Sequence, residues 1–146
     1  MTAVLIDTNI LVYPYDRSEP AKAARARRVL DDLARRRRGR VSTQVLGEFF
    51  RAVTTRLRPP IPPEDALRSL ERHMATWPVL VVTPEIVREA ARGVRDHGMN
   101  FWDAQIWATA RFYRIRTVLS EDFEDDRILE GVRFVNPFVR EDDEWP

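Results

Sequence analysis

Cysteine is absent from this 146-residue chain, and histidine and lysine are scarce. Without cysteine the protein has no disulfide, no thiolate nucleophile and no cysteine-ligated zinc. The two histidines, His73 and His97, are too far apart in sequence to form a local metal-binding pair. The single lysine, Lys22, does not lie in a glycine-rich loop, which excludes a phosphate-loop NTPase. Any metal bound by this chain is therefore expected to have oxygen ligands.

Long apolar runs and targeting signals are also missing from the sequence. No stretch approaches the roughly 18 apolar residues of a membrane-spanning helix, and the first residues have neither the basic flank nor the cleavage site of a signal peptide. The expected location is therefore the cytoplasm. Hydrophobic residues make up 44% of the chain and charged residues 32%, which is typical of a folded protein rather than a disordered chain. We expect a single domain over residues 1–146.

The net charge of +1 conceals an uneven distribution of charge along the chain. Residues 21–40 hold nine basic and two acidic side chains, including the run Arg35–Arg38. Residues 120–146 hold ten acids and three arginines, and they end in EDDEWP. Two interpretations of the basic segment are open: a surface for nucleic-acid phosphates, or the solvated side of an amphipathic helix with internal Asp–Arg pairs.

Short aliphatic runs alternate with segments of helical period, in the order β-α-α-β-α-α-β-α-α-β-β. This order is typical of an α/β domain with a mostly parallel sheet and helices on both faces. The five strands of the predicted sheet are Ala3–Ile6, Arg40–Ser42, Val79–Val82, Thr117–Leu119 and, at one edge, Val132–Val135. The predicted helices are Ile10–Tyr15, Ala21–Arg36, Gln44–Leu57, Pro63–Thr76, Pro84–Asp96 and Trp102–Tyr113.

Two acidic residues follow predicted strands, at the end of the sheet where open α/β folds bind their ligands. Asp7 follows the first strand, and Asp122 follows the fourth in VLSEDFEDDR. Asp7, Thr8 or Asn9 also fits a helix N-cap, because all three side chains accept hydrogen bonds from free backbone N–H groups. Asp122 also fits an ordinary solvated acidic loop. Position alone leaves a functional and a structural role open for each acid.

Asp103 lies on the apolar stripe of a predicted helix, NFWDAQIWATA. Ile106, Trp107 and Ala110 follow it at spacings of three, four and seven residues, so its carboxylate is expected to face inward. Burying an unpaired carboxylate costs on the order of several kcal/mol, which hydrogen bonds, a basic partner or a metal ion must offset. The alternative is helix-end chemistry, in which Asn100 is the N-cap and the acid bonds back to the first turn. That alternative explains an acid in the first turn but not its inward position.

Glu48, in STQVLGEFFRAV, lies at the edge of another apolar stripe, which includes Val45 and Ala52. A glutamate at such a boundary usually reaches solvent or pairs with an arginine, such as Arg51. Taken singly, Glu48 is weak evidence for a site.

Taken together, the four acids indicate a metal site. Carboxylates within about 5 Å of one another repel by several kcal/mol unless a cation lies between them. Because only oxygen ligands are available, the expected ions are Mg²⁺ or Mn²⁺, bound through a few carboxylates and several waters. Such sites are suited to phosphoryl chemistry.

Four stretches carry a resemblance to a known family. VLIDTNILVY, STQVLGEFFRAV, NFWDAQIWATA and VLSEDFEDDRILEGVRFVNPF, in this order, resemble the PIN-domain ribonucleases, and specifically the VapC-type toxins of bacterial toxin–antitoxin systems. The resemblance covers nearly the whole chain, from about Val4 to Phe138. Each stretch is weak evidence alone, whereas the ordered set is specific.

The resemblance implies roles for individual residues. The implied metal-binding and catalytic acids are Asp7, Glu48, Asp103 and Asp122. Asp122 matches the most variable of these positions, and Glu121 or Asp125 in the same loop is an alternative to it. The residues implied to orient the carboxylates or water by hydrogen bonding are Thr8, Asn9 and Ser120.

The resemblance also implies an activity and partners. The implied reaction is Mg²⁺- or Mn²⁺-dependent endonucleolytic hydrolysis of single-stranded or loop RNA, in which an activated water attacks phosphorus in line and leaves a 5′-phosphate and a 3′-hydroxyl. The implied partners are a small VapB-like antitoxin, whose C-terminal tail lies along the active-site groove, and a second copy in a homodimer. A non-catalytic module, with an acidic crevice for a basic peptide or a basic helix for nucleic acid, is the alternative function.

Overall fold

The computed structural model of the chain describes residues 2–140. The acidic tail EDDEWP lies outside the described residues, so the extension of one domain over residues 1–146 stays a prediction at both ends. Within residues 2–140, no helix is both long and apolar enough to cross a membrane.

The elements follow the order predicted from the sequence. The strands are β1 Val4–Ile6, β2 Gly39–Ser42, β3 Val79–Leu80, β4 Thr117–Leu119, β5 Ile128–Leu129 and β6 Val132–Val135. The α-helices are α1 Thr8–Val12, α2 Pro20–Arg35, α3 Thr43–Thr55, α4 Pro63–Thr76, α5 Pro84–His97 and α6 Phe101–Phe112. A 3₁₀ turn at Tyr13–Tyr15 continues α1, and another at Pro137–Val139 follows β6. The α/β class predicted from the alternation of apolar patterns is confirmed.

The strands form one sheet in the order β3-β2-β1-β4-β6-β5. Within residues 2–140 the pairs are parallel except that of β5 with β6. The prediction of five strands with Val132–Val135 at an edge is therefore wrong, because β5 adds a sixth strand outside β6. Glu130 and Gly131 connect β5 to β6, and both have positive φ (46° and 84°), as a tight hairpin turn requires. Glutamate is uncommon at such a position, so the sequence shows no clear hairpin signal.

The order of the strands places a crevice between β1 and β4. From β1 the chain crosses to β2 on one side, while β4 pairs with β1 on the other side. In open α/β sheets ligands bind at such a reversal, beyond the carboxyl ends of the strands. Val4, Leu5 and Ile6 are all fully buried, and successive side chains of a strand point to opposite faces, so both faces of β1 are covered. Asp7 and Ser120 are the first residues after β1 and β4.

Gly39 lies where β2 passes over a buried tryptophan. A Cβ atom at Gly39 would lie 2.4 Å from the Trp77 ring and 3.0 Å from Ile6. Trp77 belongs to the hydrophobic core and has little room to move. The glycine is therefore required by space rather than by its backbone angles.

We expect Gly39→Ala to lower the free energy of unfolding by about 1–3 kcal/mol, because the added methyl group overpacks the core. The matched control is Gly47→Ala in α3, where a Cβ atom meets nothing within 4 Å. That change should raise the free energy of unfolding by about 0.5–1 kcal/mol through helix propensity. Urea unfolding followed by circular dichroism measures both, and equal effects of the two substitutions would contradict this account of the β2 packing.

Candidate active site

Asp7 lies at the junction of β1 and α1, where its side chain is the N-cap of the helix. Its Oδ1 accepts a hydrogen bond from the Thr8 backbone N–H at 2.7 Å, and its Oδ2 accepts one from the Ser120 hydroxyl at 2.7 Å. Only 4% of the residue is exposed. The capping role considered from the sequence is confirmed, and the same carboxylate is buried at the crevice between β1 and β4.

Several carboxyl groups of the site are buried, and burial disfavours their charged forms. Burial raises the pKa of the Asp7 carboxyl from its usual value of 3.8 to about 7, against the effect of its hydrogen bonds, and the charges of Asp122 and Glu48 raise it further. Burial is also the main cause that raises the pKa values of Asp103 and Asp122, and Glu48 adds to both. The carboxylates therefore destabilise one another's charged forms.

Glu48 is half-buried on α3 and is held by neutral partners. Its Oε2 accepts a hydrogen bond from the Thr8 hydroxyl at 2.8 Å, and its Oε1 accepts one from the Gln44 amide at 3.3 Å. Gln105 fixes that amide by donating to Gln44 Oε1 at 2.8 Å. The pairing with Arg51 considered from the sequence is not found, and Glu48 makes no ion pair with any residue from 2 to 140. Its charge therefore remains uncompensated.

Asp103 is half-buried in the first turn of α6, where Asn100 caps the helix by accepting a hydrogen bond from Trp102 N at 3.0 Å. Asp103 has no hydrogen-bond or ion-pair partner among the described residues. Helix-end hydrogen bonding therefore does not account for its position. The carboxylate lines the cavity that also contains Asp7, rather than the interior of the core.

Asp122 follows β4 and is linked to the segment after β1. Its Oδ2 accepts a hydrogen bond from the Asn9 amide at 3.1 Å, and its backbone N–H donates to the Ser120 hydroxyl at 3.1 Å. Asn9 also approaches the Ser120 hydroxyl at 3.4 Å. Ser120 is fully buried, so its hydroxyl holds Asp7 and the loop of Asp122 in fixed relation.

The two alternatives to Asp122 are engaged with basic partners. Glu121 lines the same cavity but pairs with Lys22 at 3.0 Å and accepts a short hydrogen bond from the Tyr13 hydroxyl. Asp125 pairs with Arg140 at 3.1 Å and is not part of the cavity wall. Asp122 is thus the acid of this loop that faces the cavity without a cationic partner among residues 2–140.

One cavity of about 1040 Å³ brings the acids together. Its acidic wall residues are Asp7, Asp16, Glu48, Asp103, Glu121 and Asp122. All four acids singled out in the sequence are among them, and so are Thr8 and Asn9. Ser120 lies beneath the wall and reaches the cavity through Asp7.

The donor set of this cavity fits a hard divalent cation. Carboxylate oxygens are the preferred ligands of Mg²⁺ and Mn²⁺, and no basic side chain of the described residues neutralises Asp7, Glu48, Asp103 or Asp122. Within residues 2–140 no three Asp, Glu or His side chains are placed so that they could hold a metal ion between them. An ion in this cavity would therefore be held partly through its own waters.

The basic segment of residues 21–40 does not line this cavity. Arg36 pairs with Asp32 at 2.9 Å, as helical spacing predicted. Arg35 also pairs with Asp32, at 3.6 Å, and not with Asp31. Arg38 donates to the backbone carbonyl of Thr2 at 2.8 Å. These contacts favour the solvated-helix interpretation for most of the segment.

Sequence reasoning missed two arginines in the cavity wall, Arg51 of α3 and Arg56, which directly follows that helix. Both are exposed, and neither side chain has a partner among residues 2–140. Arg51 lies three residues after Glu48, which puts the two side chains next to each other on α3. This spacing was the available signal, and Gln44, four residues before Glu48, belongs to the same stripe.

The buried charge of Asp7 predicts how stability changes with pH in metal-free protein. The pKa is about 7 in the folded state and 3.8 when exposed, so the folded state binds the proton more tightly and loses stability as pH rises through this window. Relative to Asp7→Asn, the free energy of unfolding of the unaltered protein should fall by about 2–3 kcal/mol from about pH 5 to about pH 8. Urea unfolding in EDTA measures the difference, and parallel pH profiles of the two proteins would contradict the assignment.

Solved structures share this fold at low sequence identity. A chain of the toxin–antitoxin complex from Klebsiella pneumoniae is 18% identical, with a TM-score of 0.67, over 92% of this chain and 98% of that one. VapC20 of Mycobacterium tuberculosis, described as a toxin that cleaves the sarcin–ricin loop, is 19% identical, with a TM-score of 0.62, over 80% of this chain and 87% of that one. A chain of DNA-bound VapBC from Salmonella typhimurium is 18% identical, with a TM-score of 0.66, over 92% and 97%.

A search of curated protein sequences found no match to this chain. Residues 4–130, however, match the PIN domain family over most of the chain. The match includes the strand that precedes Asp7, the helices that carry Glu48 and Asp103, and the loop of Asp122. Together with the α/β fold, this match shows that the chain belongs to the PIN domain family.

Proposed function

We propose that this protein is a Mg²⁺- or Mn²⁺-dependent endoribonuclease and the toxin of a bacterial toxin–antitoxin pair. The observation that carries the proposal is the convergence of Asp7, Glu48, Asp103 and Asp122 on one cavity with no basic partner among the described residues. An accumulation of uncompensated carboxylates is costly unless a cation is bound. The choice of RNA is supported by the fold shared with a toxin described as cleaving an RNA loop.

The proposed metal ligands are Asp7, Glu48, Asp103 and Asp122. When bound, the ion supplies positive charge against the phosphate and lowers the pKa of a water molecule. One or two ions are compatible with this donor set. Asp103 is the least constrained ligand, because neither of its oxygens is engaged by another described residue.

The neighbouring polar residues hold the carboxylates in place. Ser120 and the Thr8 backbone N–H each occupy one oxygen of Asp7, which fixes the plane of the carboxylate. The Thr8 hydroxyl and Gln44 hold the two oxygens of Glu48, and Asn9 holds Asp122. Orientation by hydrogen bonds of this kind commonly changes activity or metal affinity by about 10–100-fold.

The proposed reaction adds water to phosphorus and expels the 3′-oxygen of the preceding nucleotide. A base takes a proton from the attacking water, and the departing 3′-oxygen gains a proton from solvent. We propose that an acid of this set accepts the proton, leaving a 5′-phosphate and a 3′-hydroxyl.

The proposed partner is a VapB-like antitoxin. Solved structures with this fold include a toxin–antitoxin complex and a DNA-bound VapBC complex. A basic residue from the antitoxin tail would compensate the acidic cavity in place of the metal ion. We also propose a homodimer and a cytoplasmic location, both of which stay predictions of the family resemblance.

The test of the site is the substitution Asp103→Asn. We expect RNA cleavage in Mg²⁺ or Mn²⁺ to fall by roughly 100-fold or more, because a carboxylate that binds the ion is lost while its size is kept. The measurement is the rate of cleavage of labelled single-stranded RNA by purified protein, with the unfolding midpoint recorded alongside.

The matched control is Asp31→Asn, which removes an exposed acid on α2 that has no partner among residues 2–140 and does not line the cavity. This variant should cut RNA at the original rate. Undiminished cleavage by a folded Asp103→Asn protein would show that the assignment of the site is wrong.

Metal binding separates the nuclease from the alternative, a non-catalytic module that binds nucleic acid or peptide. Calorimetric titration with Mn²⁺ should give binding by the unaltered protein and by Asp31→Asn, and clearly weaker binding by Asp103→Asn. No heat of binding at millimolar Mn²⁺ would favour the non-catalytic module, since the acidic crevice would then serve another purpose.

A further inference from the structure

A second cavity, of about 690 Å³, adjoins the acidic one. Asp16 and Leu57 belong to the walls of both cavities, so the two cavities are direct neighbours. Its wall is built from the segment before α2 and the segment between α3 and α4. Neither segment contributes any of the four acids of the candidate active site.

The second cavity has the opposite charge character to the first. Three arginines line it, Arg17, Arg27 and Arg58, against two acids. One of these acids, Asp65, is paired with Arg68 at 3.1 Å, and the other, Asp16, accepts hydrogen bonds from Ser18. The positive charge therefore dominates this cavity.

The arginines of the two cavities have no carboxylate partner among residues 2–140. Arg58 donates to the backbone carbonyls of Thr55 and Leu57 at 3.0 and 3.1 Å, and Arg27 donates to the carbonyl of Pro14. Carbonyl partners position a guanidinium group without neutralising it. Arg17, like Arg51 and Arg56 in the first cavity, has no partner among residues 2–140.

Some arginines elsewhere in the described chain are neutralised by carboxylates. Arg92 pairs with Glu89, Asp96 and Glu130, and Arg140 pairs with Asp125 and Asp126. Arg17, Arg27, Arg51, Arg56 and Arg58 have no carboxylate partner among residues 2–140, and neither do other arginines such as Arg28, Arg88 and Arg116. The five are therefore distinguished by their place in the walls of the two cavities and not by being unpaired.

Apolar rings accompany these charges. Tyr15 packs against Phe49 with ring centroids 5.7 Å apart and lines the second cavity beside Pro14, Pro59 and Pro60. Grooves that bind single strands combine positive charge along the backbone with flat apolar surfaces for the bases.

We infer that the second cavity is the subsite for the single-stranded RNA that flanks the scissile phosphate, with Arg17 and Arg58 in its wall and Arg51 and Arg56 in the wall of the adjoining acidic cavity. This inference rests on the proposed nuclease function. Negative phosphates are repelled by the carboxylate cluster, and the arginines offset that repulsion on the side where the strand leaves. The arginines bind phosphodiester groups and take no part in proton transfer.

The test measures binding without cleavage. Fluorescence anisotropy with a short labelled single-stranded RNA of mixed sequence, in EDTA, gives the dissociation constant over a range of salt concentrations. Arg51→Ala/Arg56→Ala and Arg17→Ala/Arg58→Ala should each weaken binding by roughly tenfold at low salt. Each double variant should also lower the slope of log affinity against log salt by about 0.7 per lost phosphate contact.

The matched control is Arg88→Ala/Arg116→Ala, which removes the same charge from exposed positions that line neither cavity. It should bind RNA with nearly the original affinity and slope. Arg58 donates hydrogen bonds to two backbone carbonyls, so replacing it could disturb the fold. The single variant Arg17→Ala avoids this risk, because the Arg17 side chain has no partner among residues 2–140. An effect of the cavity variants no larger than that of the control would overturn the inference.

The outcomes also separate this inference from the proposed function. If Asp103→Asn abolishes cleavage but the cavity variants bind RNA like the control, the nuclease assignment stands and the subsite is wrong. If the cavity variants lose RNA binding but the unaltered protein shows no metal-dependent cleavage, the subsite stands and the nuclease assignment is wrong. The same anisotropy measurement with labelled polyglutamate tests for an acidic protein partner. If the cavity variants weaken polyglutamate binding but leave RNA binding unchanged, the second cavity is a protein-docking surface and the inference is overturned.

Discussion

The buried carboxylate of Asp7 is the constraint on which the site depends. It lies where the chain leaves β1 and where β1 meets β4, so it faces the crevice that this sheet order creates. The three residues of the segment 7–9 each reach a different partner: Asp7 binds Ser120, Thr8 binds Glu48 and Asn9 binds Asp122. One short turn therefore links the ends of two strands and a helix, and it fixes three of the four acids relative to one another.

The buried, uncompensated carboxylates of this arrangement lower the stability of the folded protein. Desolvation raises the pKa of Asp7 to about 7, and neutral hydroxyl and amide groups hold the acids instead of cations. A site of this kind favours protonation or cation binding, and any ion that binds only the folded state stabilises it by mass action. The polar partners thus orient the carboxylates without cancelling their charge.

Charge is organised differently in other parts of the same fold. Between α5, α6 and the β5–β6 hairpin, Arg92 and Arg111 pair with Glu89 and Glu130 and lie over the Trp107 ring, so that opposite charges compensate each other. Around the two adjoining cavities the signs are separated, with unpaired acids at the strand ends and unpaired arginines towards the α3–α4 connection. In the proposed complex, an RNA strand that crosses both regions would meet the proposed metal-binding acids first and the arginines beyond them.

Local patterns in the sequence predicted the α/β order and most of the helices, and they placed Asp7 and Asp122 after strands and Asp103 on an apolar stripe. Glu48 was weak evidence alone and became a candidate through the family resemblance. The sequence did not determine β5, since the turn at Glu130 and Gly131 lacks the usual hairpin residues. It also left open whether Glu48 pairs with Arg51 and which acid of the Asp122 loop faces the cavity. Those outcomes depend on long-range partners: Thr8 takes Glu48, Lys22 takes Glu121, and Arg51 is left free to line the cavity. These pairings depend on the tertiary structure, because a charged side chain acquires its partner only when distant segments are brought within about 3–4 Å.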